Sequence, residues 1–366
     1  MSIEPAIDPA TQAFLGSLVA DAVAMPVHWY YDQRALLRDY PEFATSDPGY
    51  VASRSPHADS ILWRSSYTPL NEKGDILREQ AEFWGKRGVH YHQFLRAGEN
   101  TLNFQLALEL AALVRRDRGY DAEAWLDRYV AFMLTPGKHR DTYVEEYHRH
   151  FFTNFAGGRK PINCGVRDVH IGGLVPVPAL VAALGPKHPD LARLVRLHVR
   201  LTHKDDEVVE AAGILARMLA RVCSGDDLRS TILEEGADWI SEAKVRRWEQ
   251  EPDHVVVGGL LSSACYIPDA FPAALFLAWR HAGDVTAGVV ANALCGGDNC
   301  HRGAVVGALL AAVSPIPDRL LEGLRSGDKL ADPQGGPAVP RAAGQSTKPS
   351  AESLGRVNAR DAEESR

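Results

Sequence analysis

GGDNCHRGAVVGALLAA, residues 296 to 312, is the stretch on which the reading of this chain turns. Two glycines permit a sharp turn and close approach of a neighbouring group. Asp298, Asn299, Cys300 and His301 then stand together at the start of a run of very small residues. That run predicts a helix able to lie close against another backbone. The helix start supplies free N–H groups and the positive end of the dipole, which favour an anion. A thiol there, beside an imidazole, is expected to have a lowered pKa. Asp298 could bind a metal or orient the imidazole. The plainer alternative has Asp298 and Asn299 as helix caps and Cys300 as a small core residue.

A second helix with a small-residue face is expected near the other end of the chain. Residues 8 to 24, DPATQAFLGSLVADAVA, predict a helix with Asp8 as N-cap and Pro9 at the first helical position. Met25-Pro26 ends it. Gly16, Ala20 and Ala24 recur every four residues and form a small-residue face. Further helices are expected at 76–87, at 101–116 and in six later segments. These are DAEAWLDRYVAFML, VPALVAAL, DLARLVRLHVRLTH, DEVVEAAGILARMLARVC, FPAALFLAWRHA and VTAGVVANALC. The helix at 101–116 is apolar nearly all round and reads as central and buried. Residues 40–74 read as a long irregular segment of the kind often used in function. HVVVG, 254–258, is the clearest strand candidate. The pattern gives an all-α fold, one large helical bundle over 1–330 with little or no sheet. The Pro, Gly, Ala and Ser content of 331–366 predicts a disordered tail.

Composition narrows the function. Of 366 residues 45% are hydrophobic, enough for a sizeable core, and the net charge of −7 argues against nucleic-acid binding. Five cysteines without a CxxC pair suggest neither a disulfide framework nor a zinc ribbon. No signal-peptide pattern and no uncharged apolar run of about 18 residues is visible, so a cytoplasmic setting without a membrane is expected.

Four other stretches carry polar residues at helix junctions. AGENTLNFQLALELA (97–111) places Glu99, Asn100 and Thr101 before the central helix, where they also suit ordinary capping. ADAVAMPVHWYYD (20–32) sets Asp21 among small residues and follows a proline turn with His28, Trp29 and Tyr30. These aromatic faces could stack on a ring or simply fill the core. RDVHIGGLVPVP (167–178) offers His170 beside Gly172 and Gly173 for a polar ligand. LTHKDDEVVEAA (201–212) puts His203 before Asp205 and Asp206, which also read as helix caps.

Taken in order, these stretches resemble the ADP-ribosylglycohydrolase family. GSLVADAVAMPVH is similar to its GxxxGDAxGxPxE motif, and GENTLNFQLALELA stands where its TDDT motif leads into a long helix. HIGGLVPVP and LTHKDDEVVEAA correspond to its glycine-rich and TH-containing segments. GGDNCHRGAVVGALLAA corresponds to its closing GGDTDT and small-residue helix. The ENTLN, NCHRG and HWYYD stretches are similar to a divergent branch containing jellyfish J-class crystallins and selenoprotein relatives. The resemblance implies hydrolysis of an ADP-ribose-type glycoside, free or on a protein, with two Mg²⁺ ions. It places Gly98, Glu99 and Asn100 at the first metal triplet, and Asp298, Cys300 and His301 at the closing one. His28 replaces the acid ending the first motif.

Mg²⁺ requires oxygen donors, whereas a thiol and imidazoles suit softer divalent metals. Two expectations follow. Either Glu99, Asn100 and Asp298 hold one hard cation, or Cys300, His301 and His28 join a softer one. Glu99 and Asp298 are the expected catalytic pair, activating water with or without metal. His28, Trp29, Tyr30 and His170 are expected to line the substrate site. Backbone N–H groups at Gly172, Gly296 and Gly297 are expected to receive phosphate oxygens. The alternatives are a non-catalytic binding or crystallin-like protein, and thiol chemistry at Cys300.

Overall fold

The computed structural model describes residues 7–57, 61 and 67–327; the tail expected from 331 lies outside them. Helices dominate, no sheet forms among the described residues, and extended pairing is confined to isolated bridges such as Val166–His203 and His170–Tyr266. The fold is all-α, as the hydrophobic spacing predicts.

Its centre is a crossing of two helices far apart in sequence. Helix α1 (Pro9–Ala24) begins where Asp8 accepts from the Ala10 and Thr11 amides. Nearly all its residues are buried, although Pro9–Val27 has the length and hydropathy of a membrane span. Helix α2 (Leu102–Asp117) is the long buried helix expected from 101. Helix α3 (Glu146–Ala156) follows a loop that delivers several acids to the interior. Helices α4 (Pro176–Leu184), α5 (Leu191–Arg200), α6 (Asp206–Val222), α7 (Ile267–Arg280) and α8 (Val285–Leu294) surround the centre. Helix α9 (Asn299–Val313) crosses α1.

The small-residue faces explain how close that crossing is. A Cβ at Gly307 would collide with the carbonyl oxygen of Gly16, and one at Gly16 with Gly307 and Ala311. Ala20 sits over Gly303 and Gly307. Backbone therefore meets backbone, which holds the α9 N-terminus against the end of α1.

Two local expectations differ from the structure. HVVVG does not form a strand: Asp253–Val256 is one short helical turn, and Val257 makes only an isolated bridge to Leu261. Pro252 starts the turn, and tertiary context overrides the β-branched preference. The 76–87 helix is reduced to a 3₁₀ segment, Arg78–Phe83, entered through Arg78 at φ 48°. The 40–74 segment contains short 3₁₀ turns at Pro41–Ala44 and Glu72–Gly74.

Candidate active site

The turn before α9 is stitched into its surroundings. Gly296 and Gly297 have φ of 62° and 64°, a region that disfavours side chains. A Cβ at either would collide with the carbonyl of Tyr30 or Ser263. The Gly297 amide donates to Tyr30 O at 2.6 Å, the Gly296 amide to Ala293 O at 3.0 Å and the Asp298 amide to Ser263 O at 2.9 Å. These glycine N–H groups are therefore occupied, which corrects their expected role in holding phosphate. Arg302, 1% exposed, donates to Asn292 O and Oδ1 and to Gly296 O, each at 2.9 Å.

Trp29 donates its amide to Gly297 O and takes φ 71°, a rare value for a bulky residue. This bend turns His28 inward under the Trp29 ring, with ring centroids 4.6 Å apart. Tyr30 points elsewhere: its hydroxyl donates to Asp39 and its ring packs on Tyr40. It is core, not a ligand-facing residue.

Asp298 is completely buried with histidines on two sides. Its Oδ1 lies 3.0 Å from His28 Nε2 and 2.7 Å from His301 Nδ1. Beyond His28 a file of groups continues. His28 Nδ1 is 2.8 Å from His92 Nε2, and His92 Nδ1 is 2.6 Å from Asp141 Oδ1. Asp141 Oδ2 also accepts the Leu102 amide at the start of α2. On the other side, Glu145 Oε1 lies 4.0 Å from His301 Nε2. Asn103 donates to that same nitrogen at 2.8 Å, while its oxygen faces the Tyr147 hydroxyl and His148. A cavity of about 10 Å³, the space for one water, is bounded by these histidines, Asp141, Glu145 and Tyr143.

Burial and mutual charge separate the protonation of these groups. Burial pushes Glu145 up to about 7, and the Asp298 charge adds to it. Burial alone would raise Asp298 too, but the His301 charge and the hydrogen bond from His28 hold it well below the carboxylate range. The Asp298 and Glu145 carboxylates overcome burial at His301 and raise it to about 9. Burial lowers His28 to about 3, against the pull of Asp298. Next to this centre, Asp168 is held at about 2 against the opposing effect of burial, by a hydrogen bond from His170 and the His203 charge. His170 packs its ring 5.2 Å from Tyr266 at the surface.

The stretch before α2 was also placed wrongly. Glu99 accepts from the Arg96 amide, pairs with Arg140 and lines a separate surface cavity with Lys138 and Arg325. Asn100 donates to Leu18 O and Asp21 Oδ2. Neither joins Asp298. Gly98 belongs to packing, since a Cβ there would collide with Gly323 O. His28, Trp29, Asp298 and His301 do come together, and Gly172 lies beside Asn103 and His301. The groups missed are His92, Asp141, Asn103 and Glu145. The signal was present as HYH (90–92) and as DTYVEEYH (141–148), where acids and histidines alternate with aromatic residues.

The thiol expectation fails on position. Cys300 is wholly buried with its Sγ 3.8 Å from the Asp21 carbonyl oxygen. Burial, with the Asp21 charge, raises its pKa well above the ordinary value. Native Cys300 is expected to alkylate at no more than about one-tenth the rate of the unfolded chain. Peptide mass mapping after iodoacetamide treatment checks this, and native labelling at the unfolded rate would overturn the placement.

The two-magnesium donor set does not fit. Where the resemblance puts the first triplet, a packing glycine stands beside Glu99 paired with Arg140 and Asn100 bonded to Asp21. At the closing set, two of three donors are nitrogen or sulfur, poor Mg²⁺ ligands.

The family model described as ADP-ribosylglycohydrolase matches residues 3–348. Crystallin J1A of Tripedalia cystophora is 25% identical over 325 residues, 85% of this chain and 89% of that protein. A solved structure titled "ADP-ribosylglycohydrolase-related protein complex" superposes with a TM-score of 0.58 at 23% identity, covering 88% of this chain and 94% of that one. At that identity the likeness speaks to the fold.

Proposed function

Because the chain belongs to the ADP-ribosylglycohydrolase family, we propose that it hydrolyses an N- or O-glycosidic bond of an ADP-ribose-type compound, free or on a protein. One observation carries this reading: two buried carboxyl groups, Asp298 and Glu145, face the two nitrogens of the single His301 ring. Glycoside hydrolysis through an oxocarbenium-like transition state needs a proton carrier and a fixed negative charge near the anomeric carbon. Neighbouring carboxyl groups whose pKa values are pushed apart supply those two roles. Glu145 is the proton carrier, giving a proton to the leaving atom and then taking one from water. Asp298 keeps its charge and orients His28 and His301. Tyr143, which bounds the cavity, packs on Trp29. Glu99, the earlier candidate for the base, has no part in this scheme.

Since Glu145 titrates near 7 and works as an acid in the first step, kcat/KM is expected to fall as pH rises through that value. Glu145→Gln is expected to lower kcat by about 10²–10⁴-fold and to remove that limb of the pH profile. The measurement is release of ADP-ribose from an ADP-ribosyl-arginine and an ADP-ribosyl-serine peptide. An unchanged rate in Glu145→Gln would sink the assignment.

The similarity to a crystallin favours a second reading, a non-catalytic protein on this fold. That reading expects no release from either peptide, and expects the buried acids to matter for stability alone.

A further inference from the structure

We propose that His28 Nε2, Asp298 and His301 Nδ1 form a site for a single transition-metal dication of the zinc class, in place of a pair of magnesium ions. The first argument is a count of hydrogens. Asp141, His92, His28 and Asp298 stand in file with three close gaps, of 2.6, 2.8 and 3.0 Å. Each gap between acceptor atoms needs a hydrogen. The two carboxylates bring none, and two neutral imidazoles bring two. The file is one positive charge short.

The second argument is direction. His301 Nδ1 lies 2.7 Å from Asp298 Oδ1, yet it makes no aligned hydrogen bond there. Asp298 Oδ2 is buried and has no hydrogen-bond partner among the described residues. His301 Nδ1 and Asp298 Oδ2 are therefore two buried polar atoms whose bonding capacity is left for a cation. The His28, Asp298 and His301 donor atoms all lie within 4.8 Å of one another and are buried.

A cation at that point completes the file. His28 binds through Nε2 and donates from Nδ1 to His92, which donates from Nδ1 to Asp141. This is the outer support that fixes a metal-ligating imidazole. His301 binds through Nδ1 and keeps its hydrogen on Nε2; Asn103 then turns over, its amide oxygen accepting that hydrogen and its NH2 donating to the Tyr147 hydroxyl and to His148 Nε2, which its oxygen faces otherwise.

The donor types decide the ion. Two imidazoles and one carboxylate are a usual zinc set, and Mg²⁺ binds imidazole poorly. The inference stands apart from the hydrolase reading, because binding is measured without turnover. Bound metal with no hydrolysis would leave it intact and sink that reading. Hydrolysis by a chain unable to bind metal would do the reverse.

The test is equilibrium dialysis of chelator-stripped full-length chain against Zn²⁺, Co²⁺ and Mg²⁺, with metal content and the visible Co²⁺ spectrum as readouts. One Zn²⁺ per chain is expected, with Co²⁺ ligand-field bands that Zn²⁺ abolishes and that excess Mg²⁺ leaves unchanged. Asp298→Asn and His301→Gln are expected to lose the bound ion. His92→Gln touches only the outer support and is expected to bind about 10–100-fold more weakly at the same stoichiometry, so it serves should the ligand variants fail to fold. Folded wild-type chain with no stoichiometric Zn²⁺, or His92→Gln with unaltered affinity, would overturn the proposal.

Discussion

Asp298→Asn is expected to lower ADP-ribosyl hydrolysis by about 10²–10⁴-fold, the range for loss of a group acting directly on the reaction. Its charge is the centre of the site. Oδ1 faces His28 and His301 at 3.0 and 2.7 Å, and Oδ2 has no hydrogen-bond partner among the described residues. The asparagine keeps the shape but removes the charge, leaving His301 without its nearest counter-ion. Loss of one partner from a buried pair costs about 3–5 kcal/mol, so the thermal midpoint should drop as well. The pH sense of that stability follows from the depressed folded pKa. The carboxylate's contribution is present in full above its unfolded pKa of about 3.9 and is lost as pH falls toward the folded one. Rates measured together with denaturant curves separate the two effects. Glu99→Gln is the control, expected to hydrolyse within about twofold of wild type, as surface substitutions away from special features do. If Asp298→Asn retains the full rate, or Glu99→Gln loses it, the site has been assigned to the wrong acid.

The second large effect is on folding. Gly307→Ala is expected to destabilise by about 3 kcal/mol or more, at the upper end for overpacking, and Gly307→Val to prevent native packing altogether. The neighbour of the added Cβ is the Gly16 carbonyl, a backbone atom that cannot swing aside. Helices α1 and α9 must separate, and their separation moves Cys300 and His301 at the α9 N-terminus. Gly119→Ala is the matched control, since a Cβ there meets nothing within 4 Å. It is expected to change stability by no more than about 0.5 kcal/mol. Urea unfolding of the two alanine variants measures the difference. Equal stabilities would mean that α1 and α9 are not packed backbone to backbone.

Some of this was legible from the residues alone. The helical period, the Asp8 cap and the Gly16–Ala20–Ala24 face are local facts, set by neighbours within a turn or two, and they fixed the all-α bundle and one close-packing face, while the fold decided which helix covers it. The ordered motifs, closing on the small-residue run after Asp298, identified the family. HVVVG shows where local preference stopped, because a β-branched run with no neighbouring strand among the described residues folded as a single helical turn.

The site was legible only in part. Asp298, His28 and His301 belong to marked motifs, but which acids meet them depends on loops far away in the sequence. Glu99 and Asp141 both stand near the start of α2, yet Arg140 draws Glu99 outward while Asp141 reaches the Leu102 amide and His92. Only the tertiary structure decided between them. It also reversed the expectation for Cys300. A helix start and a nearby imidazole lower a thiol pKa when water reaches it, but complete burial against Asp21 raises it instead. The sequence determined the elements because those follow from short-range spacing. The fold decided protonation and partnership because desolvation and charge act through space, between residues that spacing along the chain does not relate.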